Sequence, residues 1–290
     1  METTSNGAVS RAILITGASS GIGAACAMDL DRLGFRVFAG VRSAAAGQEL
    51  QRRASERLTP ILLDVTQSQA IREAADAIGR AVGAGGLTGL VNNAGIVVVG
   101  PLELLPIEEL RRQFEVNVIG NVAVTQAMLP LLRLGRGRII NMGSLNGYMA
   151  PPYFAPYAAS KFALEALTDS LRVELRKWGI SVSIIEPGSV NTPIWKKSEN
   201  AANRLADGIS SDRMALYDDD MTAVRETAKK LAEHSMPVDR VVQAVRHALC
   251  SARPHTRYPV GGEARLARVA ARFLPDRFRD RILKLGLGLQ

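Results

Sequence analysis

Residues 11–16 (RAILIT) form a short apolar run rich in isoleucine. They lead directly into Gly17-Ala18-Ser19-Ser20-Gly21-Ile22-Gly23, and then into a helical pattern that Gly34 closes. An apolar run of this length bounded by glycine predicts a strand buried on both faces. Strand, glycine-rich turn and helix in immediate succession are the opening unit of a dinucleotide-type sheet. The spacing is G-x-x-x-G-x-G, and no Gly-Lys-Ser/Thr follows, which excludes a Walker phosphate loop. The physical logic is shared, because small residues let backbone approach a pyrophosphate at the positive end of the helix. Ser19 and Ser20 add hydroxyl donors there.

The rhythm continues along the chain. Strands are predicted at residues 36–41, 59–63, 87–91, 138–141, 180–185 and 256–260, separated by helical stretches that include 45–56, 67–82 and 106–132. Such alternation predicts an α/β fold: a Rossmann-type, doubly wound parallel sheet of about seven strands with right-handed crossovers and helices on both faces. A single domain over residues 11–262 follows. Residues 1–10 are polar and expected to be a disordered lead-in. Residues 189–220 show no strict periodicity; read as irregular, they belong to a substrate lid expected over about 189–235. Helices are predicted at 221–233 and 238–252. Residues 263–290 form an amphipathic basic helical tail, whose apolar stripe is expected to dock on protein rather than on a membrane surface.

Composition narrows the setting. Hydrophobic residues make up 47% of the 290, yet no run approaches the about 18 apolar residues of a membrane span. The N-terminus has no apolar signal region, so a cytoplasmic location is expected. Cys26 and Cys250 read as buried free thiols. The net charge of +8 is concentrated in the tail, where seven Arg/Lys face three Asp/Glu. No nucleic-acid motif and no zinc-ligand spacing accompany it, so neither nucleic acid nor metal is expected as a partner.

In open α/β sheets ligands gather beyond the carboxyl ends of the strands. At the second strand's tip, where an acidic residue would hold the adenosine ribose, the chain carries Val41-Arg42-Ser43. A guanidinium there pairs with a 2′-phosphate through charge-assisted hydrogen bonds, so NADP(H) is expected over NAD(H). Asp64, Asn93 and Ser144 follow three further strands. Asp64 and Asn93 also read as local turn formers. Asn117 falls within an apolar helical face, where it must satisfy backbone groups or a water at a helix irregularity. Tyr157 and Lys161 lie one helical turn apart on one face, behind Pro156. A cation about 4 Å from a phenol supplies about 4 kcal/mol at an effective dielectric near 20, enough to lower a pKa of about 10 by about three units.

The ordered set TGASSGIG (16–23), NNAG (92–95), Asn117, Ser144, Tyr157-x-x-x-Lys161 and Pro187-Gly188 resembles the short-chain dehydrogenase/reductase family. VFAGVR, LLDVT and FEVNVIG are similar to its hydroxysteroid and retinol dehydrogenase branch. The resemblance implies hydride transfer between nicotinamide and a secondary alcohol or ketone, with Tyr157 as general acid or base and Lys161 lowering its pKa and holding ribose hydroxyls. Ser144 would bind the substrate oxygen, and Asn117 a relay water. Asp64 and Val65 would lie at the adenine; Asn93, Ala94 and Gly95 along the cofactor ribose; Pro187, Gly188, Val190 and Thr192 at the nicotinamide. It further implies a homodimer or homotetramer. The apolar Met149, Tyr153, Phe154 and Trp195 point to a moderately large apolar substrate: steroid-, retinoid- or oxoacyl-like. A catalytically idle dinucleotide sensor and a basic-tail interaction protein are the alternatives.

Overall fold

The structure, a computed structural model, describes residues 11–289; the expected disordered lead-in at residues 1–10 lies outside the described residues. Seven strands make one parallel sheet in the order β3-β2-β1-β4-β5-β6-β7. They span Ala12–Ile15 (β1), Arg36–Val41 (β2), Leu58–Leu62 (β3), Gly89–Asn92 (β4), Arg138–Met142 (β5), Ser181–Pro187 (β6) and Arg257–Val260 (β7). The order reverses between β1 and β4, whose registers meet at Ile13 (opposite Val37 on one side and Gly89 on the other). This is the topological switch point, the ligand crevice of such sheets.

The sheet forms because β1 buries both its faces. Ile13 and Ile15 join one core cluster, with Leu30 and Val245; Ala12 and Leu14 join the other, with Ile78, Met128 and Leu132. The helices that supply those residues are α1 (Gly21–Arg32) and α10 (Asp239–Cys250) on the first face, α3 (Ser68–Val82) and α5 (Gly120–Leu134) on the second. Alternate side chains of one strand pointing to opposite faces produce this two-layered core. Between β2 and β3 runs α2 (Ala44–Gln51).

Two strands form the edges, and each contains a proline: Pro60 in β3 and Pro259 in β7. The ladder alternates inward and outward groups. Leu63 N–H donates inward to the Val41 carbonyl, and the Val260 carbonyl accepts from Gly188 N–H. By that alternation Pro60 and Pro259 turn their missing N–H groups away from the sheet, the position where an edge proline costs no ladder bond.

The long helix expected over 106–132 is α4 (Ile107–Phe114) and α5, joined through a π-helical turn at Glu115–Ile119. A second long helix, α6 (Ala155–Glu174), starts with Pro156 in its first turn. The stretch read as irregular up to 220 is instead largely helical: α7 (Ile194–Asp207), α8 (Ser211–Ala215) and α9 from Asp218 to Glu233. Of these helices α7 and α8 bury no residue fully, and α9 buries Met221 and Val224. Their apolar positions are too sparse to register as a stripe.

The tail is α11 (Gly262–Phe273) followed by α12 (Asp276–Gly286). It is attached at discrete points. Tyr148 donates to the Ala264 carbonyl at 2.8 Å, Ser189 to Glu263 at 3.0 Å, and Thr227 to the Leu287 carbonyl at 3.3 Å. The body does not cover its apolar stripe, because Leu266 and Phe273 each remain 72% exposed. Cys26 is buried, but Cys250 is exposed, contrary to expectation, at the last residue of α10. Among the described residues, no helix is long and apolar enough to cross a membrane.

Candidate active site

The glycine-rich turn lies at the switch point, and sterics explain its composition. Gly17 has φ +63°, and a Cβ there would lie 2.9 Å from Ala94 Cα. At Gly23 a Cβ would come within 2.4 Å of the Gly17 carbonyl oxygen and 2.5 Å of Asn93 Nδ2. Thr16, at the end of β1, ties the turn to β4: its hydroxyl accepts the N–H groups of both Asn93 and Ala94 at 2.9 Å. Asn93 answers by donating its side-chain amide to the carbonyls of Thr16 and Gly17. The asparagine is thus a brace between strand ends.

Ser20 caps α1 with extended backbone but makes no side-chain cap bond, and the first turn of α1 carries no acidic residue. Helix N-terminal N–H groups left in this state are a ready anion cradle. The glycine approaches and the open cradle fit a pyrophosphate. Arg42 and Ser43 at the tip of β2 are exposed, and the Ser43 hydroxyl caps α2 by accepting from Ala46 N–H. Asp64 accepts from the N–H and hydroxyl of Thr66 and so builds its own turn. Val65 is buried in the core, its carbonyl pressed near Gly120.

The π-helical turn places Asn117 fully buried yet satisfied. Its Oδ1 accepts from Ile96 N–H at 2.9 Å, and its Nδ2 donates to the Ile96 carbonyl at 3.0 Å and to Ser160 Oγ at 3.1 Å. The Ser160 hydroxyl in turn donates to the Tyr157 carbonyl at 2.7 Å. Asn117 therefore links the segment after β4 to the helix bearing Tyr157 and Lys161. Its own carbonyl accepts from Asn121.

Ser144, 8% exposed, follows β5 with an extended backbone and accepts from Asn146 N–H. Lys161 is also buried, and its ammonium donates to the Met142 carbonyl at 2.7 Å, so β5 supplies anchors for both groups. The ammonium lies 5.6 Å from the centroid of the Tyr157 ring.

The electrostatics differ from the sequence expectation. Burial holds the Tyr157 phenol above its ordinary pKa, while its hydrogen bond to Ser144 acts in the lowering direction. Burial also pushes the Lys161 ammonium down to about 8, against the charge of Glu165, which favours protonation. Both groups lose solvation faster than one neighbouring charge compensates, so desolvation wins over the Coulomb attraction expected from sequence. Below pH 8 the pair is a neutral phenol beside a cation.

One turn beyond Lys161, Glu165 meets Arg257 at 2.9 Å, and Arg257 reaches fully buried Glu186 at 3.3 Å. Burial, with Glu186 nearby, raises the Glu165 carboxyl to about 7, while Arg257 acts to lower it. Glu186 precedes Pro187 and Gly188, so this cluster braces the end of β6. Gly188 is held by Val260 through its N–H, and a Cβ on it would meet Glu263 at 3.0 Å. Val190 is buried and bridges to Met236.

Thr192 and Pro193 lie over the glycine turn, where a Cβ at Gly21 would be 3.3 Å from Thr192 Cβ. The sequence reading missed Lys197, one turn into α7, whose ammonium donates to Ser20 Oγ at 3.0 Å. Its only signal was a cation in a segment thought irregular. Tyr153 is also unusual, with φ +67° four residues before Tyr157; its hydroxyl bonds Asp220 of α9, and its carbonyl accepts from Gly100 N–H. Met149 is core, and Trp195 donates its indole N–H to the Val190 carbonyl.

The comparisons with known proteins agree with this architecture. Residues 11–203 match the family model described as short chain dehydrogenase. Retinol dehydrogenase 5 of Mus musculus is 37% identical over 278 residues, covering 93% of this chain and 87% of the relative. An NADPH-dependent 3-dehydrocapnine reductase of Ornithobacterium rhinotracheale is 34% identical over 277 residues, covering 94% of this chain and 95% of the relative. Among solved structures, a short-chain dehydrogenase from Streptomyces avermitilis superposes with a TM-score of 0.74 at 28% identity, covering 97% of this chain and 98% of that one. The chain belongs to the short-chain dehydrogenase/reductase family and is an oxidoreductase of alcohols and ketones that binds a nicotinamide dinucleotide.

Proposed function

We propose that this enzyme is an NADP(H)-preferring carbonyl/alcohol oxidoreductase acting in the cytoplasm on a moderately large apolar secondary alcohol or ketone. One observation carries the reading: buried Ser144 and Lys161 converge with half-buried Tyr157 beyond the carboxyl end of β5, beside a glycine cradle that fits a pyrophosphate. The nicotinamide, when bound, supplies or accepts the hydride.

Tyr157 holds the proton. As a neutral phenol it donates to the ketone oxygen during reduction, and in oxidation its phenolate takes the alcohol proton. Ser144 donates to the same substrate oxygen, where negative charge develops. Lys161 keeps a positive charge under the phenol below pH 8 and reaches the ribose hydroxyls. Asn117 fixes the helix that carries both. Gly17, Ser19, Ser20, Gly21, Ile22 and Gly23 take the pyrophosphate; Asp64, Val65 and Asn93–Gly95 flank the adenosine half, and Pro187, Gly188, Val190 and Thr192 the nicotinamide. Arg42, exposed with no carboxylate at the strand tip, would pair with a 2′-phosphate. An NADPH-dependent relative supports the same preference.

Residues 189–235 serve as the lid. Between its helices and the segment after β4 lies an apolar crevice lined by Val99, Leu104, Leu105, Leu205, Ile209 and Met214. Tyr153, through Asp220 and Gly100, fastens both walls of that crevice next to Tyr157. The apolar lining suits an apolar substrate body, in keeping with the retinol-named relative.

A panel of steroids, retinoids, 3-oxoacyl compounds and small aromatic ketones, followed by NADPH absorbance, tests the reading. Turnover of the larger apolar members with kcat/KM at least about tenfold above the small ketones is the expected result. Turnover confined to small polar carbonyls contradicts it.

A further inference from the structure

The tail presents an apolar face that nothing in the described residues covers. Leu266, Val269 and Phe273 of α11 are 72%, 55% and 72% exposed; Phe278, Ile282 and Leu285 of α12 are 61%, 48% and 70% exposed. Spacings of three and four residues set each trio on one side of its helix. A basic residue immediately precedes every one of the six: Arg265, Arg268, Arg272, Arg277, Arg281 and Lys284. One step along a helix is a rotation of about 100°, so an exposed cationic row flanks the apolar row along both helices.

The face is held out rather than loose. The tail is fixed near its start through Ala264, in its middle where Arg268 reaches Glu186 at 3.4 Å, and at its end through the Leu287 carbonyl. Ala264 and Leu287 are buried while the six apolar residues named above, which lie between them, are exposed.

We propose that α11 and α12 dock on the surface of an anionic lipid bilayer, the apolar row entering the headgroup boundary and the cationic row pairing with lipid phosphate and carboxylate groups. Side-by-side apolar and basic rows are the pattern of helices that lie in the interfacial plane. Charge decides between a bilayer and a second copy. Residues 263–290 hold seven basic against three acidic residues, so two such faces repel one another, whereas an anionic leaflet attracts both.

The test is flotation of the full chain with vesicles of phosphatidylcholine alone and of phosphatidylcholine with roughly one-third phosphatidylserine, at about 0.1 M and about 0.5 M salt. Partition onto the anionic vesicles at least about tenfold above the neutral ones, and weaker at high salt, supports docking. R265Q/R272Q/R277Q/R281Q loses about fivefold per arginine, more than a hundredfold together. F273S/F278S reduces partition onto anionic vesicles while both variants keep the wild-type unfolding temperature, which separates docking from folding. Equal partition onto neutral and anionic vesicles overturns the proposal. So does no partition at low salt, or sedimentation showing a dimer that F273S/F278S dissociates.

Discussion

The carboxyl end of the sheet and the C-terminal tail solve opposite problems with the same kinds of residue. At the sheet's end, polar groups are buried and tied down: Thr16 holds two N–H groups, Asn117 holds both polar groups of Ile96, and Lys161 is bonded to Met142. On the tail, six large apolar side chains stand in the open, and most of their basic neighbours extend into solvent. Buried polar groups must be satisfied, so the first region specifies one geometry to a fraction of an ångström. Exposed apolar groups specify only a surface. The first arrangement suits chemistry, the second suits adhesion.

Four experiments sharpen or break that contrast. The largest effect is expected from Tyr157→Phe, which removes the hydroxyl that donates the proton and keeps the ring. Ketone reduction falls about 10²–10⁴-fold while the NADPH dissociation constant, read by fluorescence titration, stays within about twofold. Wild-type turnover of any true substrate by this variant removes Tyr157 from the mechanism.

Next comes Arg42→Asp, which replaces a charge-assisted contact with repulsion. The ratio of kcat/KM for NADPH over NADH drops about tenfold to a hundredfold; an unchanged ratio, or a wild-type enzyme that prefers NADH, sinks the 2′-phosphate assignment.

The pH profile is third. The Lys161 ammonium is present below its pKa of about 8 and is lost as pH rises through it. The kcat for reduction is therefore level near pH 7 and declines about tenfold per pH unit well above 8, the behaviour of a group required in its protonated form. A level profile to about pH 10 means that Lys161 keeps its proton when ligands bind, as its free-chain value of about 10.4 would allow.

The smallest effect belongs to Lys197→Met. Its ammonium sits on Ser20 at the mouth of the anion cradle, so its loss weakens dinucleotide binding about fivefold and lessens the salt dependence of that binding. Equal affinities by calorimetry, at low and high salt, leave Lys197 a tie to Ser20 alone.

Much of the first region was legible in the sequence, and little of the second. Apolar strands with glycine at their ends announce themselves because a strand buried on both faces tolerates nothing else. Asn117 stood out as a polar residue in an apolar stretch, and its backbone partner and the helix irregularity are both present. Long-range partners were invisible. Nothing local in Lys197 points to Ser20, and nothing in Ser43 shows that its hydroxyl would cap α2. Helices α7 and α8 escaped because a periodic stripe is visible only where one face is well buried, and theirs bury no residue fully. The stripe of the tail was plain, but whether a stripe is covered depends on what stands opposite it. The Tyr157–Lys161 pair taught the same lesson in energy: spacing gives a distance, whereas the desolvation that decides the sign comes from the whole surroundings.

The edge prolines bear on this division. Pro60 and Pro259 each delete an outward N–H from a border strand, so an eighth strand from another molecule finds a gap in the row it would need to zip onto at either edge. A protein that displays a sticky patch is at risk of growing into fibrils if its sheet also accepts additions. Here the borders are closed to such growth, and any adhesion is channelled through helix surfaces, where contact is reversible and its partner can be chosen by charge.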